Sequence, residues 1–119
     1  MGMGSSFQIT PSHSGSLLIM IQGAMGNNTA SDHTECQLAY GLVSGGVPAN
    51  AAASTGTALG SLRRFSNNAN TAAVYAPFAI MEYVSGLTLG VAYWVDLNLK
   101  AVTGGTANLF NVDCVMLEF

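Results

Sequence analysis

Val91, Tyr93, Val95, Leu97 and Leu99 fall on one side of a period-two pattern, and Ala92, Trp94, Asp96, Asn98 and Lys100 fall on the other. Alternation sustained this long specifies a half-buried β-strand, because an apolar stripe on a helix needs spacings of three and four. Just before it, Phe78 and Ile80 alternate with Ala79 and Met81, and Ser85 to Gly90 supplies glycines for a reversal. The pattern therefore predicts two long strands paired as a hairpin. Tyr93 shares its side with valines and leucines and is expected in the core. Trp94 shares its side with Asp96, Asn98 and Lys100, which makes it the aromatic expected at a surface or a subunit interface.

The rest of the chain repeats this grammar in shorter pieces. Residues 7–10 read as a short strand ended by Pro11, followed by a turn cluster to Gly15. Residues 16–22 form a second strand, with Leu17, Ile19 and Ile21 on one side and Leu18 and Met20 on the other. A sandwich strand with one face in water does not need apolar groups on both sides, so Leu18 and Met20 are candidate interface residues, together with Trp94. Residues 23–34, polar and rich in glycine and asparagine, are expected as a loop. Residues 35–41 follow as a strand with Cys36, Leu38 and Tyr40 aligned. Residues 45–56 are a long surface crossing, 58–65 a strand and 66–71 a turn. After Lys100, the Gly104-Gly105 pair is expected to reverse the chain into a strand over 106–110, and a tight turn near Asn111 leads to a terminal strand over 112–119.

No stretch has sustained helical spacing of apolar residues. About eight antiparallel strands with long crossings predict an all-β protein, an eight-stranded jelly-roll sandwich. The alternative is a fibronectin-type sandwich, since Val84 to Tyr93 resembles the loop and tyrosine strand near the end of fibronectin type III modules. Against it, the single tryptophan, Trp94, lies in a late strand, where that pattern wants an early one.

The chain has 119 residues, enough for one sandwich core, and residues 7–119 are expected to form that single domain. Residues 1–6 lack a basic region and an apolar segment and read as an expression remnant or flexible lead-in. Only 8% of residues are charged while 50% are hydrophobic, against a usual quarter and a little under half. A free monomer of this size exposes roughly 6,000 Å², and burial of part of it between identical subunits is the simplest remedy for so few charges. The net charge of −3 and the lack of a basic cluster beyond Arg63-Arg64 argue against a nucleic-acid partner. No apolar run is long enough for a membrane span. Cys36 and Cys114 are too few for a disulfide framework and too distant in sequence for a metal motif; two reduced core thiols are expected, with a bridge between them as the alternative.

Several segments together carry a resemblance. Phe7-Gln8-Ile9-Thr10-Pro11, Ser14-Gly15-Ser16-Leu17-Leu18-Ile19 and the ending Val115-Met116-Leu117-Glu118-Phe119 resemble the C-terminal domains of bacteriophage tail fibres and related virion proteins. Gln37-Leu38-Ala39-Tyr40-Gly41, Pro77-Phe78-Ala79-Ile80, Ser85-Gly86-Leu87-Thr88 and Tyr93-Trp94-Val95-Asp96-Leu97 resemble short phage structural proteins of the same length. The resemblance implies a homotrimer of jelly rolls, similar to the tumour-necrosis-factor arrangement, at the tip of a fibre or needle or on the capsid. It implies a location on the virion surface after synthesis in the host cytoplasm, with other virion proteins and a host-surface glycan or protein as partners.

Candidate chemistry is sparse. Asp32-His33-Thr34-Glu35 offers three potential metal ligands, but a polar loop entering a strand produces the same residues, and no metal or cofactor is expected. A Ser-His-Asp set could be drawn from His13 or His33, yet no Gly-x-Ser-x-Gly elbow appears and no enzymatic activity is expected. Adjacent strand residues point to opposite faces, so at most one of Arg63 and Arg64 should line a given groove, one pairing with an acid across a subunit boundary and the other solvated. Attachment loops are expected at residues 23–34, 45–56 and 66–71, with Asn27, Asn28, Asp32, His33, Asn67, Asn68 and Asn70 as candidate contacts. The sequence therefore predicts a trimeric fibre or needle knob. The alternatives are a trimeric capsid-cementing protein and a monomeric fibronectin-like module.

Overall fold

The computed structural model describes residues 1–53, 55–66 and 75–119. Strands form where the period-two pattern runs: β1 (Gln8–Ile9), β2 (Leu17–Asn27), β3 (His33–Leu42), β4 (Thr57–Ser66), β5 (Tyr75–Val84), β6 (Tyr93–Ala101) and β7 (Ala107–Glu118). Every hydrogen-bonded pair is antiparallel. One sheet has the order β1-β6-β3-β4 and the other β5-β2-β7.

The two sheets pack face to face as a β-sandwich. Leu17, Ile19, Ile21 and Met25 of β2 and Phe78, Ile80 and Val84 of β5 point inward from one sheet. Cys36 and Leu38 of β3 and Tyr93, Val95 and Leu97 of β6 meet them from the other. Each such side chain contributes about 1.5–3 kcal/mol relative to exposure, so this layer is the main source of stability.

Three features differ from the sequence expectation, each for a local reason. Strands β5 and β6 do not pair as a hairpin: β5 pairs with β2, and β6 pairs with β1 and β3. Residues 85–92 instead carry the chain across the sandwich, tied to the β1–β2 connection by Leu87 N–H to Gly15 O at 3.0 Å and Gly90 N–H to Pro11 O at 2.8 Å. The loop expected over 23–34 shrinks to residues 28–32, because β2 continues to Asn27 and β3 begins at His33. Here glycine permits close approach: a Cβ on Gly23 would lie 3.0 Å from the Phe110 carbonyl oxygen. Finally, the two terminal strands expected on either side of Asn111 are the single strand β7. Asn111 has φ 50° and absorbs the irregularity as a bulge, so that Gln22 pairs with Asp113 and Ala24 with Phe110. Among the described residues there are thus seven strands rather than eight.

The first six residues are not a loose lead-in. Met3–Ser5 forms a 3-10 turn with Gly4 buried, and the buried Asp96 carboxylate of β6 accepts the Gly2 N–H at 2.8 Å and the Met3 N–H at 3.4 Å. The same carboxylate lies 3.2 Å from the Met1 amino group.

Candidate functional site

The outer face of the β5-β2-β7 sheet is built in cross-strand rows by the register of its three strands. Tyr83, Leu18 and Leu117 form one row, and Met81, Met20 and Val115 the next. Ala79, Gln22 and Asp113 follow, then Pro77, Ala24 and Phe110. Tyr75 stacks edge-on against Phe110 with ring centroids 4.2 Å apart, and Phe119 approaches Tyr83 at 5.7 Å. Met20, Met81, Tyr83, Val115, Leu117, Phe119, Tyr75 and Phe110 are all exposed. A single charged residue, Asp113, interrupts the rows. A sheet face open to water is normally rich in polar groups; this one is apolar except for the row that holds Gln22 and Asp113. These eight side chains are each 37% to 62% exposed and adjoin across the three strands, and a contiguous apolar patch of that kind marks a contact surface.

The outer face of the opposite sheet is finished by the chain itself. Trp94 lies there but is only 2% exposed, because the N-terminal turn and the β3–β4 crossing cover it. A Cβ on Gly4 would lie 2.9 Å from Val47 and 3.2 Å from the Trp94 Cβ, and one on Gly41 would lie 2.6 Å from the indole Cζ2. The expectation of Trp94 at a subunit interface is therefore corrected: its polar-side parity was read properly, but its cover is intramolecular. Further along the face, Glu35 faces Arg64 on β4 and Lys100 on β6. Its carboxylate accepts from Arg64 Nε at 3.0 Å and lies 3.0 Å from Lys100 Nζ. Hydrogen bonds from Arg64 and then Lys100 outweigh the effect of burial and hold the Glu35 carboxyl below the usual range.

At one end of the sandwich, Asp32 clips the 28–32 loop to the β6–β7 connection. Its carboxylate accepts from Thr103 Oγ1 at 2.8 Å, Gly104 N–H at 2.9 Å and Thr103 N–H at 3.2 Å. Burial alone would raise its pKa, and these hydrogen bonds outweigh that effect and hold it well below the ordinary carboxylate value. Asn27 Nδ2 donates to Asp32 at 2.8 Å and to the Gly104 carbonyl at 3.1 Å. Asn27 and Asp32 are 1% and 3% exposed, so both hold the loop from within and neither is presented to a partner. Asn28 is exposed, although its Oδ1 accepts the Thr106 N–H at 2.7 Å, and His33 is half-buried. Asn67, Asn68 and Asn70 lie outside the described residues.

At the other end, the backbone N–H groups of Ser12, His13, Ser14 and Gly15 all point at Glu118, at 2.8 to 3.1 Å. These donors, led by Ser12, hold the Glu118 carboxyl well below its ordinary value. Ser12 Oγ sits 2.7 Å from His13 Nδ1, and Glu118 Oε2 lies 3.6 Å from the same nitrogen. A nucleophile-base-acid relay needs the serine and the carboxylate on different ring nitrogens, so this cluster is a turn cap. Asp32 and Glu35 likewise point to separate networks, and among the described residues no group of three His, Cys, Asp or Glu is placed to hold a metal. Cys36 and Cys114 are free, and burial pushes both thiols up to about 11.

Of the interface candidates, Leu18 and Met20 belong to the bare face. The sequence reading missed their companions Met81, Tyr83, Val115, Leu117 and Phe119. The signal was present, since both β5 and β7 carry large apolar groups on both parities, as residues 17–21 do.

No protein-family model matches this chain, and neither the curated proteins nor the solved structures contain a match to it.

Proposed function

We propose that this chain is a bacteriophage virion structural protein, a homotrimeric jelly-roll knob of a fibre or needle that presents loops for attachment to a host-surface glycan or protein. The observation that carries the reading is the contrast between the two outer faces. One is partly covered by the chain's own N-terminal turn, crossing and ion pairs, with Leu62 of β4 left exposed; the other is bare and largely apolar, as expected of a surface covered by identical subunits. The sequence resemblance to phage fibre tips adds the class of particle. The strand order supports a jelly roll over a fibronectin-type sandwich: of the six connections between consecutive strands, only β3–β4 stays within one sheet. Three weak loop sites on one rigid knob would gain avidity without new contacts.

Light scattering coupled to size exclusion tests the assembly, with a mass near three times 12.2 kDa expected. Pull-down on host cells against undecorated capsids tests attachment. Binding to capsids alone would replace the knob with a cementing trimer, and a single-chain mass at all concentrations would remove both.

A further inference from the structure

Strand β6 lies against β3 along its whole length on one side and is only partly covered on the other. On that second side β1 pairs with Tyr93 and Trp94, the Val95 N–H donates to the Phe7 carbonyl at 2.9 Å, and the Leu97 carbonyl accepts from the Met1 amino group at 3.2 Å. Backbone groups alternate in direction along a strand, so the N–H and C=O of Leu99 and Ala101 point the same way as those of Val95 and Leu97, away from β3. Among the described residues no hydrogen bond reaches them. A bare strand edge is by itself only a hazard that proteins manage; this one opens into a cavity of about 540 Å³. Residues 50–53 of the β3–β4 crossing and residues 105–108 at the start of β7 line the cavity together with residues 98–101 of β6. Its charges are already matched, with Lys100 3.0 Å from Glu35 and the Met1 amino group 3.2 Å from Asp96, and no acidic side chain is among the described residues that line it.

We propose that the 99–101 edge of β6 is a docking site for an extended, uncharged peptide segment of a partner protein, which adds there as a further strand. The N–H and C=O pairs of Leu99 and Ala101 recur at roughly 6.8 Å, the two-residue repeat of an extended chain. A peptide strand matches that repeat with its own main chain, whereas a sugar ring does not, so main-chain pairing supplies the attraction. The incoming strand continues the line along β6 that β1, Phe7 and Met1 already occupy. A charged side chain entering the cavity would lose hydration and find no free counter-ion, which selects an uncharged segment. Residues 51–53, 101 and 107 are all alanine, and their small side chains leave room for those of the incoming strand. The inference goes beyond the proposed function and does not depend on it, because the edge belongs to a single chain.

The test is amide hydrogen exchange of the full chain, read by NMR, alone and with a peptide selected from a random heptapeptide library, with a glycan array screened in parallel. In the free protein the Leu99 and Ala101 amides are expected to exchange fast, while those of Asn98 and Lys100, which face β3, are protected. With the selected peptide at ten times its Kd, Leu99 and Ala101 are expected to exchange about tenfold more slowly. N-methylation of alternate peptide residues removes the donors from one of its edges, and one of the two alternations is expected to abolish binding. Ala101→Pro removes one N–H on the open side and spares the pairing with β3; with circular dichroism showing it folded, it is expected to bind about fivefold more weakly. Selection of no peptide, or binding that survives both N-methylated forms, overturns the inference. So does a glycan that protects these amides where no peptide does. Leu99 and Ala101 amides as protected as their neighbours in the free protein overturn it as well, because the edge is then already covered, by a second copy if the protection grows with protein concentration.

Discussion

Arg63 on β4 donates to Glu82 on β5 at 2.9 Å, and among the described residues this is the one side-chain ion pair that joins the two sheets. It closes the side of the sandwich where neither edge strand has a further neighbour. Arg63 also flanks Cys36, while its sequence neighbour Arg64 turns to the outer face and Glu35. The expectation that adjacent arginines serve different surfaces holds in the structure, but neither is left solvated: each pairs with an acid of its own chain.

Because the Arg63 side chain is 43% exposed and that of Glu82 17%, the pair resembles a surface bridge more than a buried one. Arg63→Ala is expected to lower stability by about 0.5 kcal/mol. Urea unfolding at low and high salt checks this, and the difference between wild type and variant should shrink as salt rises.

Trp94 and Gly41 give a sharper effect. The indole lies over Gly41, and a methyl group there would sit 2.6 Å from Cζ2. The ring cannot retreat, because the crossing and the N-terminal turn close over it and leave it 2% exposed. Gly41→Ala is expected to destabilise by about 1–3 kcal/mol. Trp94 is the single tryptophan, so its emission should move to the red if its cover is displaced. Unchanged stability and emission would contradict this packing.

What the sequence revealed and what it concealed follow from the range of each interaction. The inward sets Leu17, Ile19, Ile21 and Val95, Leu97 were legible because strand parity is a local property. The pairing of β5 with β2 was not, since Ser85 to Gly90 looks like a hairpin turn until Gly15 and Pro11 are seen to capture its N–H groups from far away in sequence. Asn27 and Asp32 looked like loop-tip residues for the same reason: their partner, the 103–104 backbone, is more than 70 residues distant. Trp94 had the correct parity, but nothing in its own strand announces that Gly4, Gly41 and Gly56 make room for it. The bare face was half visible in Leu18 and Met20, and its completion needed the register that sets Met81 and Val115 beside Met20.

Acid should unfold the protein through its two carboxylate caps. A carboxyl group held below its unfolded value stabilises the fold fully above that value, and the contribution is lost as pH falls toward the folded value. The ordinary values are 4.5 for Glu118 and 3.8 for Asp32. Thermal stability is therefore expected to be insensitive to these groups from pH 7 to about 5 and to decline below 4.5, first through Glu118 and then through Asp32. Glu118→Gln should lower stability at neutral pH and flatten the upper part of the acid decline. An acid profile for Glu118→Gln that parallels the wild type would show that the 12–15 turn does not depend on the charge.

The two cysteines should be inert in the folded protein. Cys36 is fully buried in β3, Cys114 is half-buried in β7 facing the core, and desolvation moves both thiols from 9.0 to about 11. Since the thiolate is the nucleophile, that shift alone lowers the reactive fraction near neutrality about a hundredfold, and burial limits access further. Labelling with a chromogenic disulfide at pH 8 is expected to detect almost no thiol in the native protein and two per chain in guanidinium. Rapid native labelling of one thiol would place that cysteine outside the core layer. Loss of both from the denatured count, restored by reductant, would mean that they had been joined as a disulfide.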